Sequence, residues 1–127
     1  MKKLSLLLIT LILTITTHAQ SFDRVIKATK LKWQNEEWKT VSSGYPTDMF
    51  IIVKEDEITV GKYKFKTYDK PNETTYPTHI CFTWKTVNQN GEKCLFMMKK
   101  FLSEITRGIV YSIVYPTSEL MYEYETE

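Results

Sequence analysis

The sequence predicts an antiparallel all-β domain, a meander of about eight or nine short strands closed or nearly closed into a small barrel. A two-sheet β-sandwich is the alternative arrangement. Three observations carry this expectation. Beyond residue 20 the apolar residues show almost no helical spacing; Val, Ile, Tyr, Phe, Trp and Thr fall instead into short alternating runs. Turn residues separate those runs at nearly regular intervals, and connections that short favour antiparallel neighbours. Closure is preferred to an open sheet because it leaves no bare strand edge.

The runs place strands at about 24–33, 36–42, 48–54, 57–60, 63–69, 79–88, 92–100, 108–115 and 119–125. In the first pair, Trp33 and Trp38 flank Gln34-Asn35-Glu36-Glu37, so a four-residue loop sets the two indoles side by side. Gly61-Lys62 suits a two-residue turn that faces Val60 with Tyr63 and Ile58 with Phe65, leaving Lys62, Lys64 and Lys66 wet; a bulge at Gly61 within one long strand is the rival reading. Asn88-Gln89-Asn90-Gly91 suits a type I turn with Gly91 left-handed, which pairs Asn88 with Glu92. That register gathers Ile80, Phe82, Trp84, Cys94, Phe96 and Met98 on one nearly all-apolar face, the expected core, because a one-residue slip would exchange faces. Pro116-Thr117-Ser118-Glu119 turns the last hairpin and places Tyr111, Ile113, Tyr115, Leu120, Tyr122 and Tyr124 together, with Glu119, Glu123 and Glu125 outward. Only 102–107 suits a helical turn.

Residues 1–19 stand apart. Lys2-Lys3, an apolar run from Leu4 to Ile15 and the small residues Thr17 and Ala19 have the layout of a secretory signal peptide, cut after Ala19 and forming a helix outside the fold. The run has about twelve residues, against roughly twenty needed to cross a bilayer. Its basic start and Ala19-Gln20 junction resemble those of exported Gram-negative bacterial proteins, which implies a periplasmic or secreted destination. Cleavage leaves 108 of the 127 residues, read as one domain over 20–127. It also reduces 17 basic residues to 15, against 15 acids, so the mature chain is neutral and has no global field for nucleic acid. No later apolar run is long enough to span a membrane as a helix.

Few residues suggest chemistry. Cys81 and Cys94 fall on opposite faces of the hairpin and about five steps apart, which disfavours a disulfide. Loss of His18 with the signal leaves His79, two residues from Cys81, without the surroundings of an acyl-transfer or zinc site. Glu36-Glu37 and Glu55-Asp56-Glu57 fit solvated turns better than a glycosidase pair, and neither a phosphate-binding glycine loop nor a G-x-S-x-G elbow is present. The expectation is therefore a protein without catalytic residues, cofactor or metal.

Binding is the remaining class. Tyr-Pro-Thr occurs at 45–47, 76–78 and 115–117; proline suits the residue before a ladder begins, while a tyrosine rim around a mouth is the functional alternative. The polar connection from Asp69 to Thr78, together with Ser42 to Asp48, is the candidate recognition loop. The candidate contact residues are Tyr45, Tyr68, Tyr76, Trp33 and Trp38. These features favour an exported interaction module that grips a protein or glycan by loops or a strand edge. The alternative is a barrel holding a small apolar or aromatic ligand, lipocalin-like by analogy of fold alone. A cavity of roughly 300 Å³ or more, lined by Trp84, Phe96 and the C-terminal tyrosines, would reverse that order.

Overall fold

The computed structural model describes residues 21–102 and 108–127. The expected signal segment and residues 103–107 of the expected helical turn lie outside the described residues. The strands are β1 (Ser21–Gln34), β2 (Glu37–Gly44), β3 (Phe50–Val53), β4 (Glu57–Val60), β5 (Tyr63–Thr67), β6 (Asn72–Thr75), β7 (His79–Val87), β8 (Lys93–Phe101), β9 (Val110–Tyr115) and β10 (Leu120–Thr126). Eight of them, β1, β3, β4, β5, β7, β8, β9 and β10, close an antiparallel barrel, with β10 pairing back onto β1 from Val25↔Thr126 to Lys32↔Leu120. The barrel arrangement, and not the sandwich, is the one adopted.

The two remaining strands depend on length mismatch. β1 has 14 residues and uses one edge twice, pairing β3 through Ser21–Arg24 and β2 through Ala28–Gln34. β7 does the same, meeting β6 through Ile80–Thr83 and β5 only at Thr86 and Val87. β6 lies within the stretch that reads as a polar connection. All four of its residues are exposed, so no alternation announces it; it forms because β5 leaves half of that β7 edge unpaired.

Local chemistry sets the hairpin registers. At the β7–β8 turn, Asn88 Oδ1 accepts from the Asn90 and Glu92 amides at 3.0 and 2.9 Å, and Gly91 takes a positive φ of 80°. The ladder then runs from Val87↔Lys93 to His79↔Phe101, the register expected from the turn residues. Gly61, at φ 58°, makes a hairpin and not a bulge: Val60 pairs Tyr63 and Ile58 pairs Phe65. The β1–β2 turn is tighter than expected. Gln34 pairs Glu37, and only Asn35 and Glu36 turn, both left-handed at φ 51° and 64°, as in a type I′ loop.

Inward residues from the eight strands form one core. Ile51, Ile58, Val60, Phe65, Trp84, Phe96, Tyr111 and Ile113 are buried in it. Phe96 is central, with ring centroids 5.9 Å from Trp84 and 5.6 Å from Tyr111. The Tyr111 hydroxyl donates to the Asp23 carboxylate, tying β9 to β1 across the closing seam. At the start of β9, Gly108 lies against the end of β10: a Cβ there would be 2.1 Å from the Thr126 carbonyl oxygen.

Cys81 and Cys94 are buried free thiols, opposite Lys99 and Thr86 respectively. Thr86 Oγ1 lies 3.1 Å from Cys94 Sγ and donates at 3.1 Å to the Cys94 carbonyl. Neither thiol should react with an alkylating reagent in the native protein, and both should react once it is unfolded without reductant. Recovery of a protected pair that only reductant releases would contradict this arrangement.

Candidate functional site

Alternate connections of an antiparallel barrel emerge at the same end. The β4–β5, β7–β8 and β9–β10 turns therefore share one mouth. A cavity of about 310 Å³ opens there. Val60, Phe65 and Ile113, all buried, form its floor. Tyr63, Tyr115, Tyr122 and Tyr124 form its walls; Asn88, Glu92 and Ser118 form a polar rim on one side.

The walls follow from strand alternation and register. Tyr115 and Tyr122 share the inward face of the β9–β10 hairpin, two residues from their respective inward neighbours Ile113 and Tyr124. Their rings meet edge to face, 6.0 Å apart at 85°, and make a corner. Tyr63 pairs with inward Val60 beside Gly61, yet it lies at the open end and remains exposed. The rim is held together by Glu92. Its carboxylate accepts from Asn88 Nδ2 and from Ser118 Oγ, each at 3.3 Å, and Asn88 Nδ2 also reaches the Tyr115 hydroxyl at 3.5 Å.

Burial keeps the phenols neutral. It pushes Tyr115 up to about 12, against the opposing hydrogen bond from Asn88. Tyr124 is also raised, by burial first and then by the proximity of Tyr122, Tyr115 and Tyr63. Behind the wall, burial raises the Cys94 thiol, while hydrogen bonds from Thr86 and Tyr115 oppose that rise. A thiol held protonated in this way is a weak nucleophile. The cavity offers apolar and aromatic surface with a few polar groups at one edge, the lining expected of a small-molecule pocket.

The raised phenols have a consequence for stability. Their folded pKa values exceed the unfolded value near 10, so the unfolded chain ionises first. Their stabilising contribution is complete below about pH 10 and is lost as pH rises through about 12. Urea midpoints should therefore fall steeply from pH 10 to 12, with part of the tyrosinate absorbance appearing only on unfolding. Full, early ionisation of every tyrosine in the folded protein would contradict the buried wall.

The five residues singled out from the sequence do not assemble at this mouth. Trp33 and Trp38 pack edge to face at 5.3 Å near the tip of the β1–β2 arm. Tyr45 is 78% exposed on the link between β2 and β3. Tyr76 stacks on His79 at 4.7 Å, at the end of β7 away from the mouth. Tyr68 borders a second, more open hollow of about 640 Å³ outside β7 and β8, with Lys85, Lys93, Leu95 and Pro116. Of the three Tyr-Pro-Thr copies, only that at 115–117 contributes a tyrosine to the mouth. Trp84 and Phe96 pack within the core and do not line the mouth cavity.

The remaining candidate groups are dispersed. His79 and Cys81 lie on the outer side of β7; Thr78 Oγ1 is 2.9 Å from His79 Nδ1. Glu36 and Glu37 lie at the β1–β2 turn, and Glu55 and Asp56 at the turn between β3 and β4. Among the described residues, no cluster of three His, Cys, Asp or Glu side chains is placed to hold a metal. The mouth tyrosines were detectable in the sequence as one face of the final hairpin; their convergence with Glu92 required the β8–β9 pairing, and that with Tyr63 the curvature of the closed barrel. Comparison with protein-family models, with curated proteins and with solved structures finds no match.

Proposed function

We propose that the protein is a non-catalytic binding domain that takes a small apolar or aromatic ligand into the mouth of its barrel. The observation that carries this reading is the cavity of about 310 Å³ with four tyrosines around an aliphatic and aromatic floor. Its size is at the lower end of ligand pockets. Neutral phenols in a partly dry wall bind apolar surface and orient a polar end, which matches recognition rather than turnover. The lining includes the expected C-terminal tyrosines but not Trp84 or Phe96, and the volume criterion favours the small-ligand reading over loop-mediated recognition.

Native mass spectrometry of protein purified from its own host should show a retained small molecule. Leu120 also lines the cavity, so Leu120→Trp, which fills the mouth, should abolish retention while the thermal midpoint stays close to that of the parent. Retention by the filled variant, or a parent with no bound molecule that also fails to take up aromatic probes, would refute the reading. The same spectrum tests the export that residues 2–19 support: the mass should correspond to a chain beginning at Gln20, and an intact Met1 form would contradict periplasmic or extracellular release.

A protein or glycan partner remains the second reading. It is favoured by the outer hollow beside Tyr68, where an exposed ring and two lysines flank Leu95, and by the exposed side chains of β2, including Val41. A glycan would stack on Tyr68, so loss of glycan binding in Tyr68→Ala, with the mouth intact, would favour this site.

A further inference from the structure

The chemistry of the mouth restricts what suits it, and this inference rests on the small-ligand reading above. We propose that the ligand is an organic cation, an ammonium group attached to a compact apolar body, with its charge enclosed by the tyrosine rings and facing Glu92.

Four features of the site support this. The first is sign: among the described residues the lining contains one carboxylate, Glu92, and no lysine, arginine or histidine. The second is ring geometry. Tyr115 and Tyr122 meet edge to face at 85°, and Tyr63 and Tyr124 line the same cavity, so four aromatic rings border one space. Aromatic faces attract cations through the ring quadrupole, and rings arranged around a space bind quaternary ammonium groups in water. The third is the direction of the phenols. Burial first raises both Tyr115 and Tyr124; the nearby Glu92 adds to the rise at Tyr115, and Tyr122 adds to it at both. Burial and the Glu92 charge together oppose an enclosed anion, whereas for an enclosed cation the attraction of Glu92 offsets the desolvation.

The fourth is an internal precedent. Lys30, directly across the seam from Tyr122, holds its ammonium 5.9 Å from the centroid of that ring. The wall thus already attracts a cation from the chain itself. Lys30 does not line the cavity, but its charge opposes a second cation nearby. Glu92 and Lys30 should therefore affect ligand affinity in opposite directions, a pattern that apolar burial alone does not produce.

The test compares phenyltrimethylammonium with tert-butylbenzene, which has nearly the same shape and no charge. Each is titrated into the ¹⁵N-labelled mature protein and followed by amide shifts at 88–92 and 115–124. The cation should bind at least about tenfold more tightly than the neutral compound, the equivalent of roughly 1.4 kcal/mol. Glu92→Gln, whose amide oxygen still accepts from Asn88 while its amide nitrogen donates to the Ser118 hydroxyl, should reduce that preference to within about threefold. Lys30→Gln should increase it. A neutral compound bound as tightly as the cation would overturn the charge assignment and leave the small-ligand reading standing. Cation binding that shifts amides elsewhere, for instance beside Trp33 and Trp38, would also overturn it. If neither compound perturbs the mouth, the small-ligand reading itself fails.

Discussion

Phe96→Ala should destabilise the domain by about 3–5 kcal/mol, the range for truncating a buried aromatic. The ring is fully buried, and it touches aromatic partners on both sides. Trp84 reaches it from β7 and Tyr111 from β9, so its removal leaves a void between strands that the hydrogen-bonded barrel prevents from collapsing. Since a domain of this size is stable by only about 5–15 kcal/mol, the variant should lose roughly a fifth or more of its stability. Urea denaturation followed by circular dichroism measures the loss directly. Phe22→Ala provides the contrast. That ring is 63% exposed and stacks on Phe50 at 5.0 Å, so its removal should cost less than about 1 kcal/mol. Similar costs for the two variants would mean that Phe96 does not occupy the centre of the core.

Gly108→Ala should be nearly as damaging for the opposite reason, an added atom. A methyl at that position would sit 2.1 Å from the Thr126 oxygen, 2.7 Å from its carbonyl carbon and 2.8 Å from the Glu127 oxygen. These are backbone atoms of the barrel's last strand, so no side-chain rotation relieves the overlap. The end of β10 would have to move away. That movement breaks the hydrogen bonds from the Thr126 amide and hydroxyl to the Ile109 carbonyl, at 3.2 and 2.6 Å, and loosens that from the Glu127 amide to the Arg24 carbonyl, at 3.1 Å. Overpacking of this kind costs about 1–3 kcal/mol, and the lost backbone hydrogen bonds add to it. Hydrogen exchange should show amides 124–127 losing protection well before those of the β7–β8 hairpin. Unchanged protection at Thr126 would show that the two segments are not in contact.

Residue chemistry made some parts of this fold far easier to read than others. The β7–β8 register was legible because Asn88, Asn90 and Gly91 specify one turn and the apolar residues on either side agree with it. The β4–β5 turn at Gly61 and the final hairpin were legible on the same basis, since each has a short loop with one apolar face. β6 was not, because Asn-Glu-Thr-Thr pairs by backbone alone on an edge left free by the brevity of β5. Nor was the tightness of the β1–β2 turn, since Glu36 is an unfavourable residue for a left-handed position. The mouth was half legible. Tyr115, Tyr122 and Tyr124 could be placed on one face from the sequence, but Glu92 joins them through the β8–β9 pairing and Tyr63 through the curvature of the closed barrel. Isolated exposed aromatics such as Tyr45 drew attention because composition reveals residue type and not position around a ring.

The seam between β1 and β10 also has a temporal meaning. Val25 to Lys32 find their partners some ninety to a hundred residues later in the chain, among Leu120 to Thr126. Contacts so distant in sequence are slow to form, whereas the β7–β8 hairpin closes locally. The ring can be completed only after Leu120 to Thr126 have been synthesised. Until then β1 keeps unpaired the edge that β10 takes, so the contact that closes the ring forms after the local hairpins.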